Sequence, residues 1–268
     1  MHDHEADLIQ ATNSLKKEWS FLDPYSIAAN DVTKRSAVFV CEIKDSGKTT
    51  DAYVKIYSYR KHPLQRYLRK GRSQTEVRNL LFFHSIGIST PRVLAWGEKR
   101  NGIGRIVQEF IITEAVPEAQ QLDVFVAEHC PEPKQHEQSQ LRMQIAKKLG
   151  QLTRAMHKAD FIHEDLKWRN VLARRSQDGA EIFWIDCPKG YFSKPGATLD
   201  RKKLKDCATL DKVARTHCSK DERQAFLKTY MGKAATSKRL GKLCQEIEDY
   251  RRGRFDAKDD CQNKHAKK

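Results

Sequence analysis

Hydrophobic residues recur along this chain with two periods, and the switch between them divides it. In the first part the spacing is that of strands. Residues 31–43 read as a hairpin; Ala52, Val54 and Ile56 mark a strand through alternation; residues 92–96 and 105–116 are apolar-rich runs bounded by turns at 87–91 and at Asn101 and Gly102. One helix interrupts them, with Val77, Leu80, Leu81 and His84 as its apolar positions. Beyond residue 140 the helical period takes over. Leu141, Ile145, Leu149, Leu152 and Met156 form one stripe, residues 204–214 form a second amphipathic helix, and 222–231 and 238–251 are further helices. Two short strands, 171–174 and 181–185, lie in the helical part and are joined by a turn at Gln177, Asp178 and Gly179. The expected class is α+β, with a small antiparallel sheet and one helix first and a larger, mainly helical part second.

Candidate chemistry concentrates where the long stripe ends. His163-Glu164-Asp165-Leu166-Lys167-Trp168-Arg169-Asn170 is followed, after the second short strand, by Asp186. Asp165 can accept a hydrogen bond from an attacking hydroxyl and act as catalytic base. Asn170 and Asp186 are hard oxygen donors of the kind Mg²⁺ takes beside phosphate and water, and their places at opposite ends of a hairpin would let them share a metal. Lys167 can offset the charge of a transferring phosphoryl group. A charged turn closing a hairpin is the plainer alternative, since Asp and Asn are common turn residues; the helix, loop, hairpin and acid in this order favour phosphoryl transfer.

A phosphate-binding cation is sought upstream. Lys55 sits inside the strand Asp51-Ala52-Tyr53-Val54-Lys55-Ile56-Tyr57, where an amine needs an anionic partner to offset burial. Glu76 is the only acid between Lys55 and Ile86. It has a competing use, because Ser73-Gln74-Thr75-Glu76 spells a capping box in which Glu76 serves backbone amides and touches no lysine. The ion pair is the preferred reading.

With these residues in place, the chain resembles the protein-kinase-like superfamily, whose catalytic loop reads H-x-D-L-K-x-x-N. The resemblance implies a bilobal fold with ATP and Mg²⁺ as cofactors, and makes Thr113-Glu114-Ala115-Val116-Pro117 the hinge, with backbone groups of Glu114 and Val116 meeting adenine. It also makes Asp206 an anchor behind the catalytic loop; a first-turn acid favoured by the helix dipole is the alternative for that residue. Two departures stand out. The hairpin at 31–43 has no glycine to approach phosphate, leaving Lys34, Arg35 or Ser36 to replace it, and Asp186 precedes Cys187-Pro188-Lys189-Gly190 in place of Phe-Gly.

Tyr53-Val54-Lys55-Ile56-Tyr57, Gly87-Ile88-Ser89-Thr90-Pro91, Ala95-Trp96-Gly97-Glu98, the catalytic loop and Ile185-Asp186-Cys187-Pro188 together resemble the bacterial lipopolysaccharide core heptose and Kdo kinases. That narrower resemblance spans about residues 30–250. It implies transfer from ATP to a sugar hydroxyl of the inner core, with an anionic glycolipid as substrate and peripheral contact at the inner face of the inner membrane. The organisation it suggests is an extension over 1–29, a first lobe and hinge over 30–117, a second lobe over 118–252 and a polar tail over 253–268.

Bulk properties bound this reading. A chain of 268 residues with 39% hydrophobic content can build two lobes. No apolar run approaches the roughly 18 residues of a membrane span, and the start lacks the basic and apolar stretches of a signal peptide, so a cytoplasmic protein is expected. Seven cysteines without C-x-x-C spacing suit reduced thiols. Cys187 reads as a packing residue, His2 and His4 as part of a disordered terminus, and residues 251–254 with the tail as fraying. The net charge of +15 gathers partly in Arg60, Lys61, Arg66, Arg69, Lys70 and Arg72, with Tyr57, Tyr59 and Tyr67 interleaved. Membrane or substrate docking is assigned to that segment and nucleic acid is not expected, with a solvated basic loop as the alternative. Two other classes share the sequence features: a kinase acting on protein or another small hydroxyl compound, and a non-catalytic scaffold binding lipid or nucleic acid through its basic face.

Overall fold

The computed structural model describes residues 2–25, 36–45, 48–59, 71–131 and 135–256. The chain forms two compact units, Met1–Pro117 with Trp184–Lys189, and Glu118–Phe183 with Gly190–Lys268.

The first unit opens with helix α1, His2–Ser14, and a 3-10 turn at Trp19–Tyr25. Strands β1, Ser36–Asp45, and β2, Lys48–Ser58, form an antiparallel hairpin; the hairpin expected within 31–43 is corrected, because residues 36–43 run as one strand whose partner is the strand read from the alternation at 51–57. Helix α2, Arg72–Ser85, leads to β3, Val93–Arg100, and β4, Ile106–Glu114. The sheet is antiparallel, in the order β1-β2-β4-β3. Alternate residues of a strand face opposite sides, and β2 uses both. Ala52, Val54 and Ile56 enter a core with Leu22, Ile43, Ala95, Phe110 and Ile112. Lys55 and Tyr57 therefore fall on the other face, and both meet α2 through Glu76.

Two further expectations are corrected in this unit. The start of the chain is ordered as a helix: Arg78 of α2 pairs with Glu5 of α1 at 2.7 Å, and the Trp96 indole donates to the Thr12 carbonyl at 2.6 Å. Lys17 then hydrogen-bonds Trp96 alongside β3, so closely that any side chain at Gly97 would run into the Lys17 carbonyl and the Phe110 ring. Helix α2 buries Val77, Leu80, Phe82 and Phe83, while Leu81 is half-buried and His84 exposed. The apolar face is rotated from the one the spacing suggested because Phe83 packs edge-to-face on Trp184, with centroids 5.3 Å apart.

The second unit begins with the short strand β5, Gln120–Gln121, and helix α3, Leu122–His129. Helix α4, His136–Lys158, carries the predicted stripe, and Leu141, Ile145, Leu149, Leu152 and Met156 are all buried. Each such side chain contributes about 1.5–3 kcal/mol by leaving water. Then come β6, Phe161–Ile162, a 3-10 turn at Trp168–Asn170, β7, Val171–Ser176, and β8, Gly179–Trp184. Strand β9, Tyr191–Phe192, pairs with β6, and helices α5, Ala197–His217, α6, Lys220–Met231, and α7, Ser237–Arg251, follow. Cys207, Ala208, Leu227 and Ile247 make the core of the last three helices.

Helix α5 starts seven residues earlier than the periodicity indicated, which moves Asp206 from a first turn to a helix interior. Arg251 is buried and faces Asp211, with Nε 3.6 Å from the carboxylate, so the fraying assigned to that residue is corrected; residues 257–268 of the tail lie outside the described residues. Among the described residues no helix is long and apolar enough to cross a membrane.

Candidate active site

In the first unit, three of the predicted site residues meet. Lys55 Nζ lies 3.2 Å from Glu76 Oε1 and 2.5 Å from Asp186 Oδ1. Glu76 is 4% exposed and does not cap its helix; the helix begins after Gly71 without a side-chain cap, so the capping-box alternative is excluded. The cap is supplied from elsewhere. Glu109 of β4 accepts from the Ser73 amide at 2.7 Å, the Ser73 hydroxyl at 2.8 Å and the Tyr59 hydroxyl at 2.7 Å. A carboxylate at a helix start satisfies amides that lack an intrahelical acceptor. Gly71 has to lack a side chain there, because one would occupy the place of the Glu109 carboxylate.

Tyr57 completes the cluster. Its hydroxyl donates to Glu76 Oε2 at 2.6 Å, and Lys55 Nζ lies 5.0 Å from its ring centroid. Burial, then the neighbouring Glu76 charge, pushes the Tyr57 phenol far up, so it stays a donor. Burial works against the Lys55 cation, but Glu76 and Asp186 outweigh it and the net shift is upward. Burial raises Glu76 as well, with Lys55 opposing and Asp186 reinforcing the rise. A lysine ammonium held rigid by two acids is a cation ready to meet phosphate without first ordering its long side chain.

Asp186 is held by its neighbours along the chain. The Trp184 amide donates to the Ser89 carbonyl at 2.9 Å, and Asn79 Nδ2 donates to the Cys187 carbonyl at 2.7 Å. Between these two ties the backbone of Asp186 turns left-handed, at φ 58°, which leaves its side chain 41% exposed. Cys187 is buried, as a packing residue would be.

The catalytic loop lies in the second unit and folds on itself. The Asp165 carbonyl accepts from the Lys167 amide at 2.9 Å and from Asn170 Nδ2 at 2.8 Å, while the Asp165 carboxylate pairs with Lys167 Nζ at 2.5 Å. Asp165 keeps a third of its side chain exposed. Helix α5 cradles the loop. The buried Asp206 accepts from the His163 amide at 2.8 Å and the Glu164 amide at 3.1 Å; Trp168 Nε1 donates to the Leu210 carbonyl at 3.1 Å; Lys203 reaches Asp160 at 3.0 Å. The anchoring arrangement for Asp206 is thus present, and the first-turn alternative fails because nine residues of α5 precede it.

Glu164 was not singled out from the sequence. Its backbone is left-handed, at φ 69°, a costly conformation for a residue with a Cβ. Both carboxylate oxygens are taken, one by Lys202 and one by Lys205. Burial works against its ionised form, yet these two lysines prevail and hold the carboxyl below its ordinary value. Glu164, Glu109 and Tyr57 act on partners 19 to 50 residues away, and no local motif announces them.

The other expected positions are placed as follows. The Glu114 amide is engaged by the Arg92 carbonyl at 2.8 Å, and its side chain by Arg92 at 2.7 Å; Val116 lies beyond the strand. Ser36 opens β1, while Lys34 and Arg35 lie outside the described residues. So do Arg60, Lys61, Arg66, Tyr67, Arg69 and Lys70; Arg72 is described, with its guanidinium 5.8 Å from the Tyr57 ring centroid and 5.9 Å from that of Tyr59.

Asp186, in the first unit, offers an exposed carboxylate, and Asn170, in the second, offers its side-chain amide oxygen, with Nδ2 already used; each is a hard donor of the kind magnesium takes. Among the described residues no group of three or more His, Cys, Asp or Glu could hold a metal. Hard oxygen donors of this kind suit an ion that brings phosphate and water as its other ligands, which is how Mg²⁺ is commonly bound.

Comparison with known proteins places this geometry. The chain is 28% identical over 122 residues to the 3-deoxy-D-manno-octulosonic acid kinase of Pasteurella multocida (strain Pm70), and that stretch is 46% of each protein, so less than half of that relative's length is matched. It is 28% identical over 201 residues to the mouse (Mus musculus) EKC/KEOPS complex subunit Tp53rkb, covering 74% of this chain and 75% of that one. A solved structure described as WaaP in complex with acyl carrier protein superimposes with a TM-score of 0.60 at 19% identity, over 89% of this chain and 98% of that one, which shows a shared kinase fold. Residues 26–230, most of the chain, match the Lipopolysaccharide kinase (Kdo/WaaP) family, and the protein belongs to that family.

Proposed function

We propose that the protein is an ATP-dependent kinase that phosphorylates a sugar hydroxyl, of heptose or Kdo, in the lipopolysaccharide inner core. The observation that carries this reading is Lys55, braced between Glu76 and Asp186 within the first unit. A stray surface lysine is not held this way, and the arrangement suits a phosphate-binding amine next to a metal-binding carboxylate.

In this mechanism Lys55 receives the nucleotide's phosphates, and Glu76 keeps the amine in place. Asp186 and Asn170 would hold the magnesium ion through their side-chain oxygens. When bound, that ion neutralises charge on the phosphates and orients them. The Glu114 carbonyl and the Val116 backbone meet adenine. Asp165 accepts the proton of the acceptor hydroxyl as its oxygen bonds to the γ-phosphorus and the bond to the ADP oxygen breaks. Lys167, already paired with Asp165, offsets charge on the group in transit. Asp206 positions the loop and touches no substrate. The substrate is an anionic glycolipid, and the protein acts from the cytoplasm as a peripheral visitor to the inner membrane.

The second reading is a kinase of the same superfamily acting on another hydroxyl, such as one on a protein; the alignment over 201 residues to the EKC/KEOPS complex subunit Tp53rkb shows that the likeness extends beyond the Kdo kinase. Mass spectrometry separates the two. Purified protein with ATP and Mg²⁺ is expected to add 80 Da per transferred phosphate, roughly the mass of HPO₃, to deacylated core oligosaccharide in preference to protein. Transfer to protein with none to oligosaccharide would reject the first reading.

A further inference from the structure

We infer that Tyr191 and Phe192, with Lys194 and Arg201, form a subsite for an anionic pyranose of the acceptor, beside the catalytic loop in the second unit. This rests on the proposed kinase reading and names the part of the acceptor that the fold is built to grip.

Tyr191 and Phe192 are the only consecutive large hydrophobic residues on the exposed surface outside β1 and β2 among the described residues, at 38% and 44% exposed. Both side chains are fixed. Strand β9 pairs Phe192 with Phe161 and Tyr191 with Ile162, and the Ser193 amide donates to the Asp160 carbonyl at 2.9 Å. The Phe192 ring stands edge-on to the buried Phe161 ring, with centroids 5.2 Å apart. The Tyr191 hydroxyl reaches Glu164 Oε1 at 3.3 Å, and Lys202 Nζ lies 6.0 Å from its ring centroid. Exposed aromatic rings that the protein spends contacts on holding still are better explained by a ligand than by the core.

The location states what that ligand does. Strand β6 runs straight into the loop, and Asp165 follows Ile162, the partner of Tyr191, by three residues. A group resting on these rings is therefore close to the base in the same unit. The charge states its chemistry. Lys202 lies over the Tyr191 ring, Lys194 follows the pair by two residues and Arg201 precedes Lys202 on α5; of the acids here, Glu164 is taken by Lys202 and Lys205 and Asp160 by Lys203, while Asp200 is exposed beside Arg201. Lys194 and Arg201 stay exposed for an outside anion. A pyranose presents apolar C–H faces to aromatic rings, and a carboxylate or phosphate on it meets Lys and Arg. An anionic membrane surface offers the same charge without the ring.

The test measures steady-state transfer from ATP to deacylated core oligosaccharide, with binding to phosphatidylglycerol vesicles in parallel. Tyr191→Ala and Phe192→Ala should raise the acceptor KM about tenfold or more while shifting the nucleotide KM less than about twofold. Tyr191→Phe, which loses only the hydroxyl contacts to Glu164 and Lys202, and Phe192→Tyr should restore the acceptor KM, which separates the platform from disturbance of the loop. Lys194→Glu with Arg201→Glu should raise it further for charged than for neutral oligosaccharide. An unchanged acceptor KM in the alanine variants overturns the platform, and so does a loss confined to vesicle binding. If the wild type transfers phosphate to no core oligosaccharide at all, the kinase reading fails first; transfer by the wild type that the variants leave untouched rejects the platform alone.

Discussion

In the first unit the chemistry-bearing side chains hold one another, whereas in the second they are held by a helix. Lys55, Glu76, Asp186 and Tyr57 form a closed set in which each charge or hydroxyl is the partner of the next. Asp165 is different: its loop is pinned from behind, with Asp206 and Leu210 of α5 holding His163, Glu164 and Trp168, while a third of its side chain stays exposed. The lesson concerns what a substitution can separate. In the closed set, binding and folding are lost together, because removing one member strands the others in a low-dielectric interior. In the cradled loop, position and chemistry sit on different residues and can be altered one at a time.

The largest effect should come from breaking the closed set. Glu76→Ala removes the main partner of Lys55 and the acceptor of Tyr57; unfolding free energy should fall by about 3 kcal/mol, the low end for a broken buried pair since Asp186 remains. Denaturant melts read this, and the nucleotide KM should rise in the same variant. A variant with normal stability and weak nucleotide binding would show that the set is not closed. Next comes Asp206→Ala. It leaves the His163 and Glu164 amides without their acceptor, at about 1–3 kcal/mol per stranded group. Turnover should drop while nucleotide affinity holds, and an equal loss of both would erase the contrast between the units.

Smaller changes sharpen the comparison. Tyr57→Phe removes one hydrogen bond to a charged group and should cost about 1.5 kcal/mol with the Lys55 and Arg72 contacts to the ring intact. The least effect is expected from Glu164→Gln, and it is best seen in pH dependence. The folded-state pKa of Glu164 is depressed, so its contribution is present above the ordinary glutamate value of 4.5 and is lost as pH falls through the folded value. The glutamine variant should therefore lose less stability than the wild type on acidification below 4.5 and differ little in slope at neutral pH.

How much of this was legible in the sequence follows from the reach of each interaction. The catalytic loop occupies eight consecutive residues, and Asp165, Lys167 and Asn170 bond within it, so spacing alone brings them together. The Lys55–Glu76 pair could be argued because burial of an amine demands an acid and only one stood in range. The stripe of α4 was visible for the same reason that it folds, a 3.6-residue period with few polar interruptions. Glu109 left no sign, because a cap donated from a strand 36 residues away has no spacing rule. Helix α1 was missed since it buries little beyond Leu8 and Thr12, and α3 since its eight residues span barely two turns. The left-handed backbones at Glu164 and Asp186 were invisible too: nothing in a glutamate or aspartate announces a positive φ.

The account stands on Lys55, Asp186 and Asp165 serving one phosphoryl transfer. Single-turnover transfer from Mg²⁺-ATP to deacylated core oligosaccharide, measured for the wild type and Asp165→Ala with nucleotide affinity in parallel, tests that most directly. The account predicts unchanged nucleotide affinity and transfer slowed by about 10²–10⁴-fold in the variant; transfer at the wild-type rate without the Asp165 carboxylate would contradict it.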